Sequence, residues 1–480
     1  MHQEPTLFEI SSPGREGFSL PETQTPEVNP AEVIPQNYLR KEKAKLPEVS
    51  EFDAVRHFTR LSQWNFSIDT AFYPLGSCTM KYNPRINEEV VRLPGFALTH
   101  PYQEEEFMQG NLELMYHLQN YLCEIAGMDA CTLQPAAGAH GELTGLLMIR
   151  SYHEDRGNPR KKIIIPDSAH GTNPASAAIC GYQVVTMKTD KDGILHADAL
   201  APLLDEEVAC LMVTNPSTIG LFEKNIQKIA DRLHAKGALL YCDGANMNAL
   251  MGMARVGDMG VDCMHYNLHK TFTTPHGGGG PGSGPVVVKK ILEPYLPTPT
   301  IVKQGDKYHL ETQCPKSIGR VRAFFGNFGM FVRAYTYIRE LGPDGVKKVA
   351  QLAVLNANYL RSRLKDLLPL AYEAPSMHEV IFSDKFLKGT EIKTLDIAKR
   401  LLDYGFHAPT VYFPLIVPGS LMIEPTETEN KATLDQFVEA LRTIVHEVTA
   451  NPTLLKEAPH NTPVRRLDET RAVMKPKLRA

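Results

Sequence analysis

Between about residues 100 and 300, short β-branched apolar runs alternate with stretches in which apolar residues recur at helical spacing. The stretch 225–236 has this helical spacing, and Gly237 directly after it predicts a helix end. Strands that alternate with helices are typical of a largely parallel sheet covered on both faces. The predicted strands are 162–166, 183–187, 208–213, 238–242 and 285–288.

The pattern changes on either side of this region. The first 60 residues are rich in Pro and Glu, and we predict an extended N-terminal arm over 1–99. Residues 100–329 are predicted to form the large α/β domain, and 330–451 a smaller α+β domain. Its predicted helices start with a long run over 330–367 and continue near 392–404 and 431–448. The tail 452–480 contains four prolines and is predicted to be irregular.

Composition narrows the class of protein. The 480 residues carry a net charge of −4, and no basic run dominates, so nothing supports nucleic-acid binding. No apolar run is long enough to predict a membrane span, and the N-terminus lacks the regions of a secretory signal. The eight cysteines are scattered without a CxxC pair, which favours reduced thiols. We therefore expect a cytoplasmic, multidomain protein of the size of an enzyme.

A lysine beside a glycine-rich loop is the strongest indication of chemistry. Lys270 precedes the loop 277–284, and Asp243 lies 270 − 243 = 27 residues upstream. Pyridoxal 5′-phosphate enzymes use a lysine to form a Schiff base with the cofactor aldehyde and a carboxylate to pair with the ring nitrogen. The loop contains Pro281 and leads into a strand, so it does not fit a dinucleotide-binding fingerprint.

Other polar residues follow the predicted strands and converge on the same sheet edge. His170 is the candidate for stacking on the cofactor ring, and Ser168 for holding its phosphate or hydroxyl. Thr218 follows the next strand, and Asn267 and His269 precede Lys270. This convergence of strand ends carries the prediction, because each residue alone is more commonly a loop or capping residue.

Small residues before the predicted helix 143–152 are the candidates for contacting the phosphate. Ala137, Gly138 and Ala139 would let backbone N–H groups approach an anion at the helix N-terminus. A metal site is not predicted. His265 and His269 have the spacing of a zinc helix, but the surrounding sequence is a poor helix former and the glutamate of an HExxH motif is absent.

Several long segments resemble the P-protein of the glycine cleavage system, the decarboxylating glycine dehydrogenase. The resemblance extends over about 70–450 and is closest to the C-terminal half, or subunit 2, of that family. It implies fold type I, the architecture of aminotransferases. The segments are 74–81, 168–176, 243–248, 267–272, 275–282, 404–410 and 422–427.

The resemblance also implies an activity and partners. The expected reaction is pyridoxal-phosphate-dependent decarboxylation of glycine, with transfer of the aminomethyl group to the lipoyl arm of the H-protein. Lys270, Asp243 and His170 are the implied catalytic residues, and Ala245 is a further cofactor contact. Subunit 1 is the implied partner chain, and the T- and L-proteins are the other members of the system.

Two other functions stay open at the level of sequence. Another fold type I enzyme, such as a cysteine desulfurase or an amino-acid decarboxylase, would need a mobile catalytic cysteine or a different pocket. A non-catalytic subunit that scaffolds its partner would have no reason to keep Lys270. Lys81 has two interpretations, an anion contact or a buried structural role, and Cys78 is expected to have a packing or redox-sensing role.

Overall fold

The computed structural model describes residues 4–19, 21–278, 280 and 282–478. Their contacts divide the chain into two units, Met1–Ser67 with Glu457–Ala480, and Ile68–Lys456. Within the described residues, no helix has the length and apolar character needed to cross a membrane.

The second unit is built around a seven-stranded sheet. Its strands are β1 (Ala130–Thr132), β2 (Lys162–Pro166), β3 (Gln183–Met187), β4 (Val208–Thr214), β5 (Leu239–Gly244), β6 (Cys263–Tyr266) and β7 (Val286–Val288). Their order is β1-β7-β6-β5-β4-β2-β3. Strands β2 to β6 run parallel, while β7 is antiparallel to both β6 and β1. The predicted mostly parallel sheet is confirmed.

Helices cover the sheet because their apolar faces, like those of the strands, must be buried. The first unit contains α1 (Pro30–Val33), α2 (Glu51–Gln63) and α14 (Glu469–Met474). The helices of the second unit are α3 (Arg85–Val91), α4 (Pro94–Ala97), α5 (Gln109–Ala126), α6 (Gly138–Asp155), α7 (Thr172–Ile179), α8 (Ala197–Leu200), α9 (Ile226–Ala235), α10 (Phe328–Leu364), α11 (Thr394–Asp403), α12 (Lys431–Ala450) and α13 (Pro452–Lys456).

The large sheet is packed on both sides by buried side chains. One core includes Leu118 and Leu122 of α5 with Phe331 of α10, and the other includes Ile149 of α6 with Tyr241 of β5. Each fully buried side chain of this size contributes about 1.5–3 kcal/mol through removal of apolar surface from water. This packing holds the strand ends in place.

The C-terminal part of the second unit forms a smaller α+β layer. A hairpin of β8 (Thr300–Gln304) and β9 (Lys307–Glu311) is followed by β10 (Val380–Phe382), β11 (Thr410–Val411) and β12 (Leu421–Ile423). The last three form an antiparallel sheet in the order β10-β12-β11. Its core includes Phe437 and Leu441 of α12, both fully buried.

Helix α10 departs from the uninterrupted helix that the sequence predicts. Gly342 has a φ of 61° and a non-helical conformation, and Pro343 follows it. Proline has no N–H to donate within the helix, and glycine adopts a positive φ without strain. The long helical run is therefore two helical segments joined at this point.

Candidate active site

The carboxyl ends of neighbouring parallel strands bring the predicted residues to one sheet edge. His170 follows β2, Thr218 follows β4, Asp243 lies near the end of β5, and Lys270 follows β6. Open α/β sheets bind their ligands at this edge because the strand ends leave a crevice there. The structure thus places these four residues at neighbouring strand ends, as the sequence predicts.

Asp243 is buried and held by hydrogen bonds from two directions. The Asn173 side-chain amide donates to Oδ2 at 3.1 Å, and the Ala245 backbone N–H donates to Oδ1 at 3.0 Å. Burial on its own raises the pKa of Asp243, but His265, the Asn173 amide and Lys270 outweigh burial and keep the pKa below its usual value. Asp243 is therefore a carboxylate at neutral pH.

His265 lies behind Asp243 because the two residues are paired between β5 and β6. Its Nε2 is 3.3 Å from Asp243 Oδ1, without the geometry of a hydrogen bond. Its Nδ1 is 2.9 Å from the hydroxyl of Tyr241. A carboxylate oxygen from each of Glu142 and Asp243 and a ring nitrogen of His265 all lie within 4.8 Å of one another in the buried interior. The segment after His265 is a turn rather than a zinc-binding helix.

His170 is held by the N-terminus of α7 and by a glutamate of α6. Its Nδ1 is 2.8 Å from the Thr172 hydroxyl, which donates to Glu142 Oε1 at 2.7 Å. The Thr172 backbone N–H also donates to His170 Nδ1 at 3.2 Å, so two groups of Thr172 hold this ring nitrogen. The ring also contacts Phe413 edge-on, with centroids 5.7 Å apart. These contacts fix the orientation of the imidazole.

The N-terminus of α6 lies beside Asn267 with no room for a side chain. A Cβ at Gly138 would lie 2.2 Å from Asn267 Oδ1, and one at Gly284 would lie 2.1 Å from the Ala137 carbonyl oxygen. Ala137 is the extended N-cap residue, and the Gly138 and Ala139 N–H groups belong to the first turn, where no intrahelical acceptor is available. This close approach of backbone is suited to an anionic ligand.

Lys270 and His269 lie in the turn after β6. Among the described residues, the Lys270 ammonium has no hydrogen-bond partner, and His269 Nδ1 is buried without one. Burial, together with His276 and the charge of Lys270, lowers the pKa of His269 to about 3. His269 is consequently neutral over the physiological range and does not act as a charged acid.

The remaining predicted residues have backbone roles in this structure. The Thr218 hydroxyl donates to the Ser168 carbonyl oxygen, which ties the ends of β2 and β4 together. Both side chains are buried. Ala245 acts through its N–H on Asp243.

Several residues near the site were not predicted from the sequence. Asn173 lies within the segment 168–176 around His170, so its position in the sequence was a usable signal. Glu379 and Glu424, in contrast, flank strands of the small sheet. The segment 74–81 also reaches the site, because the charge of Lys270 acts on Cys78. Cys78 is held as a thiol, since burial and two nearby glutamates raise its pKa.

Lys81, in contrast, has a structural role. Its Nζ is 2.7 Å from Glu427 Oε1 and 3.0 Å from Asn248 Oδ1, and the side chain is buried. Burial lowers the pKa of Lys81 while Glu427 opposes this effect. This pairing holds the segment 74–81 against the residues around Asn248 and Glu427 within the second unit.

The fold and the site together define a class of protein. A mostly parallel seven-stranded sheet carries a lysine and an aspartate at adjacent strand ends, and a smaller α+β layer follows it. This is the fold type I class of pyridoxal-phosphate-dependent enzymes. The fold is similar to that of a solved glycine decarboxylase (P-protein) of the glycine cleavage system in an inhibitor-bound form. The TM-score is 0.72 at 20% identity, over 86% of this chain and 93% of that chain.

Sequence comparisons identify the family within this class. Residues 28–309 match the glycine cleavage system P-protein family, and residues 349–462 match the glycine dehydrogenase C-terminal domain. The chain is 58% identical over 477 residues to a probable glycine dehydrogenase (decarboxylating) subunit 2 of Fervidobacterium nodosum, covering 99% of each. It is 56% identical over 474 residues to the same subunit of Caldanaerobacter subterraneus, covering 98% of each. The chain belongs to the glycine cleavage system P-protein family.

Proposed function

We propose that this chain binds pyridoxal 5′-phosphate through Lys270 and decarboxylates glycine. The observation that carries the proposal is the placement of Lys270 and Asp243 at one sheet edge, close enough for the lysine charge to lower the pKa of the carboxyl group. The relatives are named decarboxylating glycine dehydrogenases, which supports glycine as the substrate and loss of CO2 as the reaction.

Unsatisfied buried atoms around the site support cofactor binding. Asn173 Oδ1, Asn267 Oδ1 and His269 Nδ1 are buried without a hydrogen-bond partner among the described residues. Buried polar atoms of this kind need an explanation, and a polar ligand at this edge provides one. The crevice beside Gly138, which a Cβ would fill, supports the N-terminus of α6 as the phosphate contact.

The roles of the residues follow from their charges and positions. When bound, the cofactor ring accepts electron density from the glycine Cα as CO2 leaves. The ionised Asp243 would stabilise a proton on the ring nitrogen, and the imidazole of His170 would cover the ring face. Lys270 must give up its proton to act as a nucleophile. Asn267 and the neutral His269 would contact the cofactor without changing the charge of the site.

The acceptor of the decarboxylated carbon is proposed to be the lipoyl arm of the H-protein. The aminomethyl group would be transferred to one lipoyl sulfur while the second leaves as a thiol, so the lipoyl disulfide is the oxidant. No nicotinamide site is then needed in this chain. The T- and L-proteins would process the product within the same system.

A partner chain, subunit 1, is also part of the proposal. The relatives carry the designation subunit 2, which supports a two-chain assembly. In the first unit, helix α2 exposes Phe52, Val55 and Phe58, each more than half accessible, along one side. Clustered exposed apolar side chains are typical of protein contacts. A cytoplasmic location is proposed because all eight cysteines are free thiols.

The alternatives make different predictions for Cys78. A desulfurase needs a mobile, ionisable cysteine, whereas the flanking Ser77 and Thr79 backbone N–H groups are bound by Glu379 and Glu424. The raised pKa of Cys78 also keeps it protonated. These observations favour the glycine reaction over a cysteine reaction.

The test is the visible absorbance of the chain, purified with subunit 1 and supplied with pyridoxal phosphate, before and after glycine is added. Borohydride reduction and peptide mapping then locate the bound cofactor. We expect a glycine-sensitive band and an adduct on Lys270, both lost in Lys270→Ala along with turnover. The control Lys290→Ala removes an exposed lysine paired with Glu293 and should change neither.

Two results would overturn the proposal. Full turnover by Lys270→Ala would remove the assigned lysine. A colourless wild-type complex with unmodified Lys270 would instead indicate a subunit that only supports its partner.

A further inference from the structure

Two buried glutamates of the small sheet lie opposite each other near Lys270. Glu379 directly precedes β10 and Glu424 directly follows β12, and the antiparallel pairing of Val380 with Ile423 makes them the next opposed pair. Their side chains are 2% and 0% exposed. A carboxylate oxygen of each glutamate and a ring nitrogen of His378 all lie within 4.8 Å of one another.

The hydrogen bonds of the two carboxyl groups are unequal. Glu424 accepts from the Thr79 N–H at 3.0 Å, the Thr79 hydroxyl at 2.7 Å and the Asn246 amide at 2.7 Å. Glu379 accepts from the Ser77 N–H at 2.9 Å. Hydrogen bonds donated to a carboxylate favour its charged form, so Glu424 is the better placed of the two to be ionised.

A second charge beside Glu424 would be costly. Two carboxylates whose oxygens lie within 4.8 Å of each other inside a protein resist ionising together, because water is excluded and their repulsion is weakly screened. Burial, reinforced by the charge of Glu424, raises the pKa of Glu379 well above its usual range. The unequal hydrogen bonds of the two glutamates and the burial of Glu379 both indicate that the proton is on Glu379.

The other titratable groups around the pair are neutral, apart from two lysines. Burial lowers the pKa values of His378 and His276 and raises that of Cys78, so all three lack charge at neutral pH. Lys270 acts electrostatically on both Glu379 and His378. Glu424 also acts electrostatically on Lys81, which is paired with Glu427. Among the described residues, Lys270 is therefore the cation near the pair that has no hydrogen-bond partner of its own.

We propose that Glu379 and Glu424 share one proton, held on Glu379, and that the remaining negative charge acts beside that of Asp243 in setting how readily Lys270 loses its own proton. The proton sharing is independent of the proposed function. The effect of the shared proton on Lys270 as a nucleophile rests on the proposed function. Both glutamates are positioning residues, because they act through Lys270. They also hold the loop 77–79, in which Ser77 and Thr79 have positive φ values.

The proton can be observed in the cofactor-free chain by infrared spectroscopy after treatment with EDTA. We expect the wild type at neutral pH to show the carbonyl stretching band of a protonated carboxyl group, and Glu379→Gln to lose it. In Glu424→Gln the band should persist at low pH but disappear about one pH unit or more earlier on titration upward, because the repelling charge is gone. Glu447→Gln, which removes a carboxylate paired with Arg400, is the control and should leave the band unchanged.

Three outcomes would overturn proton sharing. An absent band in the wild type would mean that both carboxyls are ionised. Loss of the band in Glu424→Gln alone would place the proton on the other residue. An unchanged titration in Glu424→Gln would show that burial, rather than its partner, keeps Glu379 neutral. Glu379→Gln exchanges one neutral group for another of the same shape, so it is expected to fold even where Glu424→Gln does not.

The effect on Lys270 can be measured by reductive methylation with formaldehyde and cyanoborohydride across pH, followed by peptide mapping. Glu379→Gln should leave the pH midpoint of Lys270 labelling unchanged, because it removes no charge. The double variant Glu379→Gln, Glu424→Gln should lower that midpoint by about one unit or more, since the ammonium loses one of its two nearby negative charges and keeps only that of Asp243. An equal midpoint in all three proteins would contradict the proposed link. Failure of Lys270 to bind the cofactor, with the carboxyl band intact, would count against the proposed function alone.

Discussion

The neighbours of Asp243 keep its carboxylate both oriented and charged. Hydrogen bonds from Asn173 and Ala245 orient both oxygens, and His265 and Lys270 favour the charged form despite complete burial. A buried carboxylate of this kind is stable only because its partners are in place. Its charge is therefore available to a ligand at any neutral pH.

Replacing this carboxylate tests its role directly. Asp243→Asn should weaken binding of pyridoxal phosphate and slow glycine decarboxylation by about tenfold to a hundredfold, since a hydrogen bond to a charged group contributes about 1.5–3 kcal/mol. The defect should be the same across the neutral range, because the lowered pKa of Asp243 keeps it ionised there. Cofactor titration and turnover at several pH values measure both effects.

Asp262→Asn is the matched control for this substitution. Asp262 is equally buried, but it precedes β6 and so lies at the opposite end of the strands, where it accepts from the Leu240 N–H. It should lower stability and leave cofactor affinity unchanged. Equal loss of affinity in both variants would show that the effect of Asp243→Asn is structural.

At the scale of elements, the first turn of α6 is the closest contact between helix and strand end at the site. Gly138 has no positive φ, so glycine is required there by the proximity of Asn267 rather than by backbone conformation. Alanine is the better helix former by about 1 kcal/mol. Glycine at this position therefore lowers the stability of the helix but leaves space beside the proposed phosphate contact.

Gly138→Ala should separate these two effects. We expect thermal stability close to that of the wild type, because the Asn267 side chain can move aside, with cofactor affinity lowered by about tenfold, or about 1.4 kcal/mol. Gly110→Ala, in the first turn of α5 with nothing within 4 Å of an added Cβ, is the control and should leave affinity unchanged. Unchanged affinity in Gly138→Ala would exclude this turn from the cofactor contact.

The elements themselves were predictable to the extent that their patterns are local. All five predicted strands are present, and helices 225–236, 392–404 and 431–448 are confirmed with small shifts of their ends. Strand β1 was missed because three residues are too short for a period to show. The antiparallel β10-β12-β11 sheet was missed because its strands have two or three residues each and pair across long sequence separations.

At the scale of the whole molecule, the first unit presents an apolar surface that its own fold does not cover. On one side of helix α2, His57 is buried, and its Nδ1 lies 3.2 Å from Glu4 Oε1. The same helix exposes Phe52, Val55 and Phe58. Large exposed apolar groups cost free energy in water and are favoured only where a partner covers them. We assign this side of α2 to the proposed contact with subunit 1.

Two serine substitutions test this surface in the full chain. Val55→Ser with Phe58→Ser should weaken association with subunit 1 by about tenfold or more, because apolar contact area is lost. Thermal stability of the isolated chain should hardly change, since both side chains are exposed. Leu355→Ser, at an exposed position of α10 in the second unit, is the control for general loss of apolar surface. Undiminished association, measured by calorimetry or sedimentation, would place the contact elsewhere.

The part of the site that the sequence predicts is the part built from the large sheet. Lys270, Asp243 and His170 each follow or end a strand with a clear pattern, so their convergence could be inferred before the fold was known. Glu379 and Glu424 could not be placed in this way, because their position depends on which short strands pair and in what register. Tertiary pairing of this kind leaves no local signature.

The loop 77–79 is held by hydrogen bonds that join residues 302 and 345 positions apart in the chain. A ribosome therefore completes the large sheet, including Lys270, well before it has made Glu424. Until then, Thr79 and Asn246 lack the acceptor that they share in the finished protein. The site is thus among the last regions to mature during synthesis, and a chain that stops short of residue 424 carries the reactive lysine without the groups that control it.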